Sequence, residues 1–316
     1  MNTNQTAIII NSPFQAICSI EYIKERNIHD VVFYTVEDVQ NTNKIKSLLA
    51  DYGYNVTVIP QSKNTINWYI DNRKRDKYYT IIVGDLFSFT LLILTSILTH
   101  KRARVIYVDD GNSTLSINNN SLPYHMQSLK WRFFQSFLKL KKTEMVLFTI
   151  YPIVQLKKML IIHNSFEILS SKRVLQQQKG IYIIGTNTSM LGLDREKYQS
   201  TLLQIKKYYN DEITWYCPHR RDNNSYADFC NVNGIKMFDT RVSVEYDFIQ
   251  RELYPRVIIG YGSTALYTLK LLYPLAEIHN VCFDTKDDHI AKDYIYISEF
   301  LKKHGILSCS NNYWLK

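Results

Sequence analysis

Short runs rich in Ile, Val and Tyr recur along the chain, each separated from the next by a stretch long enough for a helix. In the first half these runs are Ala7–Ile10, Val31–Val36, Asn55–Ile59, Thr80–Val83 and Arg104–Val108. A second series follows at Ile181–Ile184, Ile213–Tyr216, Ile235–Phe238, Val257–Ile259 and Val281–Phe283. Their composition and flanking turn residues predict strands. Strands alternating with helix-length segments predict right-handed βαβ units and parallel sheets. The intervening pattern predicts helices over Phe14–Lys24 and from Pro123 to about Lys142. The longest apolar stretch, Leu86–Leu98, is too short to span a bilayer and carries Ser and Thr, which predicts a buried helix.

Between Tyr151 and Lys179 the polarity is mixed and a QQQ tract appears, so the domain junction is expected there. The fold class expected is α/β, with two Rossmann-like doubly wound domains over residues 1–155 and 156–316 and an interdomain cleft. One continuous large sheet is the alternative.

Nine of the ten glycines fall where such a chain must turn. Gly53, Gly180, Gly234 and Gly305 follow helix-like polar stretches and precede the next apolar run, as helix-ending glycines do. Gly84, Gly111, Gly185, Gly260 and Gly262 instead follow strands. At the carboxyl edge of a parallel sheet, that position is expected to let backbone approach a ligand.

Composition narrows this picture without changing it. The 316 residues and 46% hydrophobic content suffice for two cores. The five cysteines, Cys18, Cys217, Cys230, Cys282 and Cys309, are scattered and lack CxxC spacing, which fits a reducing cytoplasm better than a disulfide framework or zinc site. The start runs straight into a strand, so no secretory signal is expected. A net charge of +9 suits an anionic substrate, nucleic acid or an anionic membrane face. A nucleic-acid partner is not expected, because the aromatics are not interleaved with Lys and Arg on any strand platform.

Three motifs carry candidate chemistry. In Val108-Asp109-Asp110-Gly111 two carboxylates leave a strand together. Successive residues of an extended chain point opposite ways, so one carboxylate is expected to face the cleft as a general base while the other braces the loop. In Cys217-Pro218-His219-Arg220-Arg221 a strand ends in three cationic-capable groups, an anion-binding cluster. In Gly260-Tyr261-Gly262-Ser263-Thr264 a helix opens at Ser263, and its free N–H groups and hydroxyls suit a phosphate. A plain Ser or Thr cap is the simpler reading of that last motif. Asn187 and Thr188, after the first strand of the second series, offer further polar donors, and Glu245 lies between the second and third motifs.

Two consecutive doubly wound units resemble the GT-B arrangement of glycosyltransferases. The order of Asp-Asp-Gly, a histidine at a proline-bearing strand end and a Ser/Thr pair at a helix start resembles the bacterial sialyltransferases. Ser12-Pro13-Phe14-Gln15 is similar to the Thr-Pro-Leu-Gln element of the lipooligosaccharide sialyltransferases of glycosyltransferase family 52. In that superfamily a proline follows the histidine; here Arg220 stands there and Pro218 precedes it.

The resemblance implies an inverting transfer of sialic acid from CMP-sialic acid to a sugar hydroxyl, a galactoside first among acceptors. The product would be a surface polysaccharide or lipooligosaccharide. It implies Asp109 as the base, with Asp110 second in line, and His219 as proton donor to the departing phosphate. Asn187, Thr188, Pro218, Arg220, Gly262, Ser263 and Thr264 would bind the donor, with Glu245 on the ribose. Ser12, Pro13 and Gln15 would lie on the acceptor side.

No cofactor or metal is implied, and Asp287-Asp288-His289 is read as a surface turn rather than a metal motif. The implied setting is the bacterial cytoplasm. The basic aromatic segment 130–142 is a candidate for peripheral contact with the membrane that holds a lipid-linked acceptor, or for a homodimer face. Rival readings are a glycosyltransferase using CMP-Kdo or a UDP-sugar, and a CDP-polyol phosphotransferase.

Overall fold

The structure, a computed structural model, describes residues 5–61, 68, 71, 77–85, 88–111, 114–115, 144–154, 159–189, 191–210, 212–219, 226–283, 288–310 and 313–314. It divides into two compact units, Met1–Ile168 and Leu169–Lys316.

The first unit is built on a seven-stranded sheet. Its strands are β1 (Thr6–Ile10), β2 (Val31–Val36), β3 (Val56–Ile59), β4 (Tyr78–Val83), β5 (Thr99–Val108), β6 (Glu144–Thr149) and β7 (Leu160–His163). They lie side by side in the order β3-β2-β1-β4-β5-β6-β7, every pair parallel. Helices α1 (Pro13–Glu25), α2 (Thr42–Asp51) and α3 (Phe89–Leu98) lie among them along the chain. A sheet covered on both faces needs continuously apolar strands, and Ala7–Ile10, Ile81–Val83 and Val105–Val108 are all buried. The apolar stretch expected to be a buried helix forms α3, with Leu91, Leu92, Leu94 and Leu98 buried.

Two strands of this sheet escape the periodicity reading. β6 follows directly on the expected helix to Lys142, and β7 lies in the mixed-polarity stretch taken for the junction. Since β7 pairs with β6, the first unit continues to Ile168 rather than ending at 155. β7 is an edge strand with Leu160 and His163 exposed, and its short apolar run Met159–Ile162 lies between Lys157-Lys158 and His163-Asn164-Ser165, so it merges into the mixed polarity around it. Asp288, expected in a surface turn, opens a helix instead.

The second unit holds β8 (Gln178–Ile184), β9 (Thr214–Cys217), β10 (Lys236–Met237), β11 (Pro255–Gly260), β12 (Glu277–Cys282) and β13 (Leu307–Ser310), in the parallel order β10-β9-β8-β11-β12-β13. A short α4 (Glu167–Ser170) leads in; α5 (Arg195–Tyr208), α6 (Ala227–Val232), α7 (Val244–Gln250), α8 (Thr264–Leu272) and α9 (Asp288–Lys303) follow. Its core mixes Ile181, Ile183, Val257 and Ile259 with a tyrosine cluster. Tyr198 packs on Tyr226 and Tyr261 with ring centroids 5.1 and 4.8 Å apart, the tilted geometry that aromatic quadrupoles favour.

Side-chain caps define the helix starts. Ser12, Ser88, Asp194, Ser243 and Ser263 each accept a backbone N–H at the start of α1, α3, α5, α7 and α8. In both sheets the chain winds outward from a central pair, β1 and β4 in the first, β8 and β11 in the second. Such switch points open a crevice beyond the carboxyl ends of the strands, where α/β proteins bind ligands.

Candidate active site

In the first unit the exits of β1, β4 and β5 meet at the switch point. Asp109 and Asp110 leave β5 in different environments, as alternation requires. Asp109 is 0% exposed. Its Oδ1 accepts the Thr149 hydroxyl at 2.6 Å and its Oδ2 the Ile150 N–H at 2.6 Å. Burial pushes its carboxyl up to about 7, against the opposing hydrogen bonds from Thr149, Ile150 and Thr114. Asp110 is half-buried, its N–H donating to the Thr114 hydroxyl at 3.1 Å. Its Oδ1 accepts from Nε2 of Gln15 at 2.5 Å. Asp109 is thus tied to the β6 exit, and Asp110 stands at the rim.

Ser12, Pro13 and Gln15, expected on the acceptor side, are all buried. Ser12 caps α1 by accepting the Gln15 N–H, and Pro13 opens the helix where a missing N–H costs nothing. The Gln15 carboxamide is engaged by Asn11 and Asp110. These three residues turn their polar atoms to the protein itself.

In the second unit the β8 exit carries Gly185 to Thr188 and the β11 exit carries Tyr261 to Thr264, flanking the switch point. His219 and Pro218, both half-buried, follow β9 on the neighbouring side. The Thr188 hydroxyl meets the phenol of Tyr226 at 2.8 Å, so the tyrosine core anchors the β8 exit. Asn187 Oδ1 accepts the Ser189 hydroxyl at 2.8 Å. Ser263 is half-buried and its hydroxyl accepts the Ala265 N–H at 3.3 Å, capping α8, while Thr264 begins the helix. The capping reading of that motif therefore holds, with the helix opening where expected.

Glu245 lies in the first turn of α7, buried, with its charge close enough to Tyr273 to help raise that phenol. Arg220 and the segment 130–142 lie outside the described residues.

Beside three of the five exit glycines, the protein itself fills the space a side chain would take. A Cβ on Gly84 would meet the Gln15 side chain at 2.3 Å, and one on Gly262 would meet the Tyr294 ring at 2.2 Å. Gly185 is closed off in the same way by Tyr216.

Asn280 was not legible as a site residue. Wholly buried on β12, it accepts the Gly262 N–H on Oδ1 at 2.7 Å and donates from Nδ2 to Ser298 at 3.1 Å. The signal that could have exposed it is a polar residue inside an otherwise apolar strand, since buried amides require partners. Thr114 was missed because it follows β5 in a polar stretch, and Thr149 because its strand, despite the apolar run Met145–Phe148, is absent from the strands read along the chain.

No family model matches this chain, and no curated protein matches it. Solved structures do, at low identity. The GT-B domain of a sialyltransferase from Photobacterium damselae superposes with a TM-score of 0.58 at 12% identity, covering 97% of this chain and 99% of that one. A 2,6-sialyltransferase of a Photobacterium species, solved with CMP and lactose, gives 0.57 at 11% identity over 96% of this chain and 78% of its own. A UDP-N-acetylglucosamine 2-epimerase gives 0.58 at 11% identity, over 99% and 85%. The chain therefore has the GT-B fold. Its solved structural neighbours include bacterial sialyltransferases as well as an epimerase acting on a nucleotide sugar.

Among the described residues, no group of three or more His, Cys, Asp and Glu side chains is arranged to hold a metal ion, and no helix is long and apolar enough to cross a membrane.

Proposed function

We propose that the protein is an inverting glycosyltransferase that moves sialic acid from CMP-sialic acid to a sugar hydroxyl, a galactoside first among candidates. The observation that carries the reading is a half-buried carboxylate, Asp110, held by Gln15 at the carboxyl edge of the first unit's sheet. Asp110 is held at the carboxyl edge of one sheet, while His219 and the α8 start lie at the carboxyl edge of the other. Support comes from the neighbouring sialyltransferase solved with CMP and lactose. The epimerase neighbour shows that the fold alone does not choose among nucleotide-sugar reactions.

Asp110 is the base in this proposal. Asp109 is sealed from solvent with both oxygens bonded to the β6 exit, so it braces the loop. Asp110 takes the proton of the acceptor hydroxyl as that oxygen attacks the anomeric carbon. The bond to the departing phosphate breaks through an oxocarbenium-like transition state, which gains most from stabilisation of the leaving group. His219 donates a proton or charged hydrogen bond to that phosphate, and the N–H groups at the start of α8 receive it with Ser263 and Thr264. Asn187, Thr188 and Pro218 would line the donor, which needs no metal because it leaves as a monophosphate.

The test is incubation with CMP-sialic acid and a galactoside panel, following CMP release and a sialylated product, with and without EDTA. Parallel arms with CMP-Kdo and UDP-sugars decide the donor. Turnover with one of those and none with CMP-sialic acid sinks the sialyl assignment. CMP release from a CDP-polyol without sugar transfer would replace the class altogether.

A further inference from the structure

Gln15 sits wholly buried where the exits of β1, β4 and β5 meet. A carboxamide there is costly unless each end has a partner of the right kind. Oε1 accepts the backbone N–H of Asn11 at 2.8 Å, at the β1 exit. A backbone N–H can only donate, so the oxygen must face Asn11 and the NH2 must face the carboxylate of Asp110, 2.5 Å away. The rest of the residue is fixed as well. Its N–H donates to Ser12 Oγ at 3.3 Å, and its carbonyl accepts the Ser19 hydroxyl at 2.8 Å. From β4, Gly84 closes the third side: a Cβ there would lie 2.3 Å from Oε1 and 2.7 Å from the Cβ of Gln15. The side chain therefore has one orientation, with its NH2 group turned to Asp110.

We propose that Gln15 is the positioning residue of Asp110: its amide N–H, aimed by Asn11 and held by Gly84, orients the rim carboxylate and favours its ionised form. The catalytic part of this inference rests on the reading of Asp110 as the base. A hydrogen bond to the charged form of an acid favours that form. Losing it therefore raises the carboxyl's midpoint and moves the acid limb of any reaction needing the carboxylate to higher pH. Among the described residues, the other ionisable groups that directly follow these strands are Asp109, beside Asp110, and Asp85, beside Gly84; α1 has no charged residue between Pro13 and Ile20.

The experiment labels aspartate carboxyl carbons with carbon-13 and titrates them by NMR in the full chain, the Asp110 signal being assigned by its loss in Asp110→Asn. In Gln15→Met, which keeps the volume but loses the donor, the Asp110 midpoint rises by about one pH unit. In the nearly isosteric Gln15→Glu, which guards against a misfolded first variant, the two carboxyls in contact share a proton, so the Asp110 signal loses its single wild-type midpoint and titrates in two coupled steps. With CMP-sialic acid and lactose, the acid limb of kcat/KM follows the midpoint while the donor KM stays within about twofold, as expected for a group acting through its neighbour. An Asp110 midpoint unmoved in both variants overturns the inference whatever the activity. A moved midpoint with a fully active Asp110→Asn overturns the choice of base instead, and with it the catalytic part of this inference.

Discussion

Asp109 and Asp110 differ by one position, yet tertiary contacts make them different chemical groups. Asp109 has a folded-state midpoint raised to about 7 by burial. A carboxyl raised in the folded state holds its proton there after the unfolded chain has lost it. The stability it contributes is thus fully present below the unfolded value near 4 and is lost as pH rises through about 7. Thermal midpoints measured between pH 4 and 8 should fall through that window, and Asp109→Asn should flatten the fall; an unchanged slope in the variant removes Asp109 as its source. Asp110→Asn should leave that profile in place but lower turnover by roughly 10²–10⁴-fold, the range for a lost general base. That two unlike acids follow β5 was legible from alternation alone. Which one was sealed was not, because Thr149 and Ile150 lie about forty residues away at the β6 exit and nothing local ties them to Asp109.

At the scale of elements, the turn between β11 and α8 depends on three separate pieces of chain. Gly262 adopts φ +57, its N–H is taken by Asn280 of β12, and Tyr294 of α9 lies where a side chain would be. Gly262→Ala combines a left-handed alanine with a clash against a ring and should cost on the order of 2–4 kcal/mol in denaturant unfolding. Asn280→Ala leaves a buried N–H without its partner, for about 1–3 kcal/mol. Should Gly262→Ala unfold at the wild-type denaturant midpoint, the close approach of Tyr294 is wrong. The helix start at Ser263 was readable from the sequence, because a cap is a local device. Its support from β12 and α9 was not, since nothing local encodes a hydrogen bond between residues 262 and 280.

For the whole molecule, two units each carry their own sheet and their own buried residues. If the second unit holds the nucleotide, CMP should stabilise that unit in particular. At a hundredfold excess over Kd, mass action supplies about 2.7 kcal/mol, a shift of roughly 5–10 °C for a unit of this size. Calorimetry should show that shift in the transition that Gly262→Ala lowers. Movement of the other transition alone would assign the nucleotide to the first unit and reverse the proposed roles. The positive net charge makes a further demand: donor KM should rise with ionic strength, as screening weakens attraction for an anion.

Ten of the strands, the two α/β series and the cap at Ser263 follow from local signals: apolar runs, helix-length spacers and residues that satisfy their own backbone. These operate over a few positions, so the chain by itself determines them. The pairing of β6 and β7 into the first sheet, the choice of Asp110 over Asp109 for the rim, and the occupants of the space beside Gly84 and Gly262 were decided only by tertiary structure. Each depends on which distant side chain reaches a given atom first. Burial and hydrogen-bond geometry are set by packing in three dimensions, and a reading along the chain has no access to them.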